Sequence, residues 1–209
     1  MRTMFRSVVL FSFTSSLLAI SSVVSAADGV SVKLDTGFAI PLTDPQAARF
    51  HPGVGVKVQP LVGLTPWLDV GPSVSVIAMP RARHGIVTGT VLGLGGGLRI
   101  KRPRDASNTG TGWGAASPWL DGDVQYVRTG DKDRPGVALG VGVSVPTSES
   151  RNLWVGPFAR YQNVFQGEHA GHDTRDAKIL VLGLSVELGS GVVRQTFDGD
   201  FDYDGTPDS

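Results

Sequence analysis

Gly136-Val137-Ala138-Leu139-Gly140-Val141-Gly142-Val143-Ser144-Val145 is the stretch on which the fold turns. Val137, Leu139, Val141, Val143 and Val145 fall on one side of a strict two-residue period, and Ala138, Gly140, Gly142 and Ser144 on the other. Successive side chains of an extended strand point to opposite faces, so this segment carries one wide apolar wall and one wall of very small residues. The chain holds 28 glycines in 209 residues, about double the usual share of roughly 7%. They sit inside apolar runs with no collagen-like repeat, which fits strands packed closely around small residues.

The same period recurs on both sides of this segment. A first strand sets Val30, Val32, Leu34, Thr36, Phe38 and Ile40 against Ser31, Lys33, Asp35, Gly37 and Ala39. Gly53–Leu61 sets Val54, Val56 and Val58 against Gly55, Lys57 and Gln59, and Trp67–Ala78 sets Leu68, Val70, Val74 and Val76 against Asp69, Gly71, Ser73 and Ser75. Ile86–Lys101 alternates Leu92, Leu94, Leu98 and Ile100 with Gly93, Gly95, Gly97, Arg99 and Lys101. Ala115–Val127, interrupted by Pro118 and Gly122, still opposes Leu120, Val124 and Tyr126 to Asp121, Asp123 and Gln125. Leu153–Phe165 and Ala177–Leu188 complete the set, the latter with Leu180, Leu182, Leu184, Val186 and Leu188 facing away from Gly183, Ser185 and Glu187. No stretch long enough for a helix shows a 3.6-residue period.

Eight such strands fit an antiparallel meander, and two architectures compete. A soluble barrel or sandwich buries the Val/Leu face and turns the Lys/Asp/Gly face to water. A membrane barrel inverts this, with the apolar face on lipid. Three features favour the inverted case. The polar face is too rich in glycine for a water-exposed surface, the strands match the ~9–11 tilted residues that cross a bilayer, and Trp67, Trp113, Tyr126, Trp154, Tyr161 and Phe165 cluster near strand ends like an interface girdle. The fold class expected is therefore all-β, an eight-stranded antiparallel up-and-down transmembrane β-barrel.

In this register the inward face carries Lys33, Lys57, Arg99, Lys101 and Arg160 against Asp35, Asp69, Asp121, Asp123 and Glu187. An eight-stranded barrel is just wide enough for side chains to fill it. A balanced set of charges in that space must pair, because an unpaired buried charge costs several kcal/mol. The expectation is a salt-bridged, closed lumen with low or no conductance.

Residues 1–26 read as a signal peptide. Arg2 and Arg6 precede an apolar stretch from Val8 to Ile20, and Val24-Ser25-Ala26 supplies small residues for cleavage before Ala27. Ser12, Thr14, Ser15 and Ser16 break the apolar stretch, which stays well short of the ~20 residues of a spanning helix. Removal of the leader turns a formal net charge of zero into a small acidic excess, so nothing in the composition draws a nucleic-acid backbone. Cysteine is absent, which excludes disulfides, thiolate metal sites and thiol catalysis. An exported chain without a later long apolar run spans a membrane only as a barrel, which places it in the outer membrane of a Gram-negative envelope.

Over residues 27–190 the chain resembles the OmpA-like outer-membrane β-barrel proteins, by strand count and by the closing strand Ile179-Leu180-Val181-Leu182-Gly183-Leu184-Ser185-Val186-Glu187-Leu188. In residues 191–209, Asp200, Asp202, Asp204, Gly205 and Asp208 are similar to the opening of a thrombospondin type 3 repeat. In OmpA-like proteins, such repeats often lead to a periplasmic peptidoglycan-binding domain. Alternate carboxylates around a glycine turn can gather hard oxygens on one Ca²⁺. Two readings stand for this tail, a solvated acidic segment and a weak Ca²⁺ site at Asp200, Asp202, Asp204 and Asp208. No other cofactor is expected.

The remaining motifs carry little chemistry. His51, His84, His169 and His172 all lie in expected loops, and none forms a His-x-Ser pair along a strand, so no catalytic residue is assigned and no enzyme is expected. Glu168, His169, His172 and Asp173 suit a solvated loop better than a metal site. Gly93–Gly97 sits in an alternating strand with no helix after it, unlike a phosphate-binding loop.

With both termini periplasmic, the outward loops are Pro41–Pro52, Met79–Gly85, Arg128–Pro135 and Gln166–Asp176, and the inward turns are Val62–Pro66, Arg102–Gly112 and Pro146–Asn152. Arg81, Arg83 and His84 are then placed to meet lipopolysaccharide phosphates. The function expected is a structural or surface-interaction role in the outer membrane. The chain is expected to be a monomer whose partners are lipid, lipopolysaccharide and the barrel-assembly machinery. The alternatives are a small-solute transport barrel and a secreted soluble β-barrel or sandwich binding protein with a calcium-binding tail.

Overall fold

The computed structural model describes residues 29–44, 46–81, 88–103, 111–130, 132–166 and 176–189. The leader and the acidic tail with Asp200, Asp202, Asp204 and Asp208 lie outside the described residues, as do Arg83, His84, Glu168, His169, His172 and Asp173.

Eight strands run β1 (Val30–Pro41), β2 (Gly53–Thr65), β3 (Leu68–Pro80), β4 (Thr88–Lys101), β5 (Ser117–Thr129), β6 (Lys132–Pro146), β7 (Leu153–Val164) and β8 (Ala177–Gly189). Each pairs antiparallel with its neighbour in sequence, and β8 returns to β1 from Ser31↔Gly189 to Pro41↔Ile179, so the sheet is a closed up-and-down barrel. Closure gives every strand a neighbour on both sides. Two short helical turns are added, α1 (Gln46–Arg49) between β1 and β2 and a 3-10 turn (Gly112–Ala115) before β5. Each spans 4 residues, too short to give a hydrophobic period that can be read in the sequence.

The faces are disposed in the inverted sense. Phe38, Val54, Leu94, Leu120, Val124, Leu139, Val141 and Leu184 stand exposed on the outside. Lys33, Asp35, Lys57, Asp69, Arg99, Asp121, Asp123, Arg160 and Glu187 are buried inside. A soluble barrel or sandwich would bury the first group and solvate the second, so neither describes this molecule.

Three sequence expectations need correction. The loop expected at Arg128–Pro135 is mostly wall, since Arg128 pairs with Asp133 and Thr129 with Lys132 across a tight turn at Gly130. Gly130 has φ +64, which a hairpin of this kind requires and other residues resist. Five charged residues around a glycine imply a loop by composition, but composition does not reveal how few residues a turn needs. The turn expected at Val62–Pro66 is likewise shorter, because β2 continues to Thr65. Trp154 does not join the outer girdle. It is 3% exposed and points inward, where its Nε1 donates to the Arg151 carbonyl at 2.7 Å. Its place next to the strand start suits a girdle position, but it shares parity with the inward Gly156 and Arg160.

Candidate functional site

The lumen is where the chain concentrates its chemistry. Call proximal the end at which β1 starts and β8 finishes, and distal the other. All ten inward charges named from the sequence reach the lumen, and every one is ion-paired.

They form two networks, each electrically neutral. In the first, Lys33, Lys57 and Arg160 face Asp35, Asp121 and Asp123. Asp121 Oδ2 is the hub, 2.6 Å from Lys33 Nζ, 3.0 Å from Arg160 Nη2 and 3.9 Å from Lys57 Nζ. Asp35 takes Arg160 Nη2 at 2.6 Å and Lys33 at 3.4 Å, and Asp123 takes Lys57 at 2.5 Å. Lys33 Nζ also sits 3.2 Å from the centre of the Trp119 ring, a cation–π contact between two buried side chains. In the second network, fully buried Arg99 grips two carboxylates: Nε and Nη2 reach Asp69 at 2.9 and 2.5 Å, and Nη1 and Nη2 reach Glu187 at 2.7 and 3.0 Å. Lys101 closes it on Asp69 Oδ1 at 2.9 Å. The planar fork of Arg99 suits two-carboxylate recognition that a lysine could not provide.

Glycine makes these reaches possible. Asp121, Gly140 and Arg160 lie in one row across β5, β6 and β7. A Cβ at Gly140 would collide with Asp121 Oδ1, so the empty position lets Arg160 cross β6 to its carboxylate. This explains why the inward face is glycine-rich as well as charged.

The distal half of the lumen is different. Ala39, Ile77, Met79, Val91, Val127, Val164, Ala177, Ile179 and Val181 form the distal part of a buried apolar cluster that continues through Phe158 to Trp119, and Phe50 packs on it from the β1–β2 connection. Phe50 is held by its bridge to Arg81, and its ring fills the space that a Cβ on Gly89 would take. Thr43 ties the same connection to β8, donating to the Asp176 carbonyl at 3.0 Å and accepting from the Lys178 amide. Sequence reasoning missed this layer because it counted inward charges and not inward apolar residues. The signal was present in β8, whose inward positions change from Ala177, Ile179 and Val181 to Gly183, Ser185 and Glu187.

Among the described residues no cluster of three or more His, Cys, Asp or Glu could hold a metal ion. His51 is exposed beyond α1, and Arg81 stands exposed at the distal rim.

No family model matches the chain, and no curated protein does. Solved structures do. The Neisserial surface protein A crystal structure aligns with TM-score 0.54 at 13% identity, over 77% of this chain and 97% of that one. The outer membrane protein OprG from Pseudomonas aeruginosa gives 0.43 at 12%, over 77% and 97%. Ail, the attachment invasion locus protein of Yersinia pestis, gives 0.42 at 10%, over 78% and 100%. At 13% identity the likeness to the Neisserial surface protein A structure speaks for the fold alone, and the closed eight-stranded antiparallel barrel matches outer-membrane barrel structures.

Proposed function

We propose that the protein is an outer-membrane β-barrel with a structural or surface-interaction role, a closed lumen and no catalytic activity. The observation that carries this reading is the pairing of an exposed Leu/Val exterior with an interior of two neutral, fully paired ion networks. Such an exterior is stable only against lipid, and such an interior has no charge left free to bind or move an ion. The OmpA-like resemblance and the leader support export and residence in the outer membrane, with the proximal end in the periplasm.

In that orientation the distal rim meets the outside, and Arg49, Arg81 and Arg128 stand exposed there. They supply charge for lipopolysaccharide phosphates. The acidic tail would extend into the periplasm as a weak Ca²⁺ ligand through Asp200, Asp202, Asp204 and Asp208.

Cell fractionation, followed by gel migration of unboiled and boiled protein, tests the reading. Outer-membrane recovery with a heat-dependent mobility shift is the expected result. Recovery in the periplasm or medium without a shift overturns it.

A further inference from the structure

A closed barrel has no edge on which to place a proline, yet β2 and β3 set two prolines face to face. The β2–β3 register holds at Val58↔Val74 and again at Val62↔Val70, with no paired positions between. Continued through the gap, it puts Pro60 opposite Pro72. The direction of the backbone there is fixed by its neighbours. The Gly63 amide donates to Gly29, on the β1 side, so Val62 and Pro60 direct their N and O towards β3. The Lys101 amide donates to Trp67 across the β3–β4 seam, so Pro72 directs its own towards β2.

The two residues therefore meet at a site meant to exchange two N–H···O bonds, and neither has an N–H to give. About 13 Å of seam runs without a ladder bond. Pro157 is a milder case, because Val143 opposite it keeps its amide and only the pairs at Val143 and Ser144 are lost. Pro41, Pro80, Pro118 and Pro146 stand at or next to strand ends, and Pro135, inside β6, keeps its pairing with Tyr126. The β4–β5 seam is unbroken from Val91↔Thr129 to Lys101↔Trp119.

A second observation falls at the same place. Gln59 and Ser73, the inward pair beside the prolines, are each 1% exposed, and Gln59 Oε1 and Ser73 Oγ have no hydrogen-bond partner, a condition they share with Asp35 Oδ1 and Asp121 Oδ1 elsewhere in the lumen. Backbone carbonyls facing no donor and side-chain oxygens with no partner are what local opening would relieve, by admitting donors to the seam.

We propose that the β2–β3 seam at Pro60 and Pro72 is a built-in lateral hinge, where the wall parts between lumen and membrane while the other seams stay closed. Opening here loses no ladder bond over the gap, whereas parting any intact seam of equal length must break several.

The absence of cysteine allows a direct test on the full chain in lipid vesicles. Ser73→Cys and Ser185→Cys each place one thiol at an inward position that is 1% exposed, the first beside the gap and the second between intact seams. A lipid-soluble thiol reagent is expected to label the Ser73 variant at least about tenfold faster, the factor one ladder bond is worth. Adding Pro60→Val and Pro72→Val restores both amides and is expected to remove the difference. Equal labelling of the two cysteine variants overturns the hinge, and so does a difference that survives the valine pair. If the valine pair does not fold, amide exchange on the unaltered protein decides. Val58, Val62, Val70 and Val74 are expected to exchange about tenfold faster than Leu94, Leu98, Gly122 and Tyr126. Equal rates would overturn it.

Discussion

At the scale of single residues, the lumen depends on each charge having its partner. Arg99 is the clearest case, because its removal leaves the buried Asp69 and Glu187 carboxylates without the guanidinium that joins them, and only Lys101 remains on Asp69. Arg99→Met is expected to destabilise the barrel by about 3–5 kcal/mol, the usual cost of leaving a buried charge unpaired. The midpoint of urea unfolding in detergent measures it. Replacing Asp69 and Glu187 with leucine and Lys101 with methionine as well should recover most of the loss, since an apolar substitute for a whole buried network is often neutral. Gly140→Val should act through geometry instead, by driving Arg160 and Asp121 apart. The charges were legible in the sequence, and so was their balance. Their partners were not: Lys33 meets Asp121, and Arg160 meets Asp35, across separations no local pattern encodes.

At the scale of elements, strand faces follow from the period of two, and the lipid face can be tested strand by strand. Leu94 lies on the outer face of β4, level with Val74 and Tyr126, and is 59% exposed. Leu94→Arg is expected to cost about 2–4 kcal/mol in a bilayer, whereas the same change on a water-facing strand would cost close to nothing. Refolding into vesicles at graded urea separates the two. The β5–β6 hairpin gives another test. Gly130→Val must hold a β-branched residue at a positive φ and is expected to lose about 1–2 kcal/mol, read as a lowered unfolding midpoint. The strands were legible to within a few residues at most ends. The exceptions were β2, which runs on to Thr65, and β6, which begins at Lys132, and in both the turn proved tighter than its polar composition implied.

At the scale of the whole molecule, the lumen is stratified, with ion networks towards the proximal end and an apolar layer capped by Phe50 at the distal end. Ions face two barriers in series. Planar-bilayer recording of the unaltered protein is expected to show no stable open pore. The paired variant Lys33→Met with Asp121→Asn is expected to remain non-conducting too, because Ile77, Met79, Val127 and Ile179 still fill the distal half. Large, uniform conductance from either protein would show that the apolar layer is not a seal.

The sequence by itself determined that the chain forms strands, which residues share a face, and that the inward charges cancel, because all three are set by alternation along one strand. Only the tertiary structure decided which carboxylate each cation meets, that Pro60 opposes Pro72, and that the distal lumen is apolar. Those depend on register between strands and on closure of β8 upon β1, and register is a property of pairs that no single strand contains.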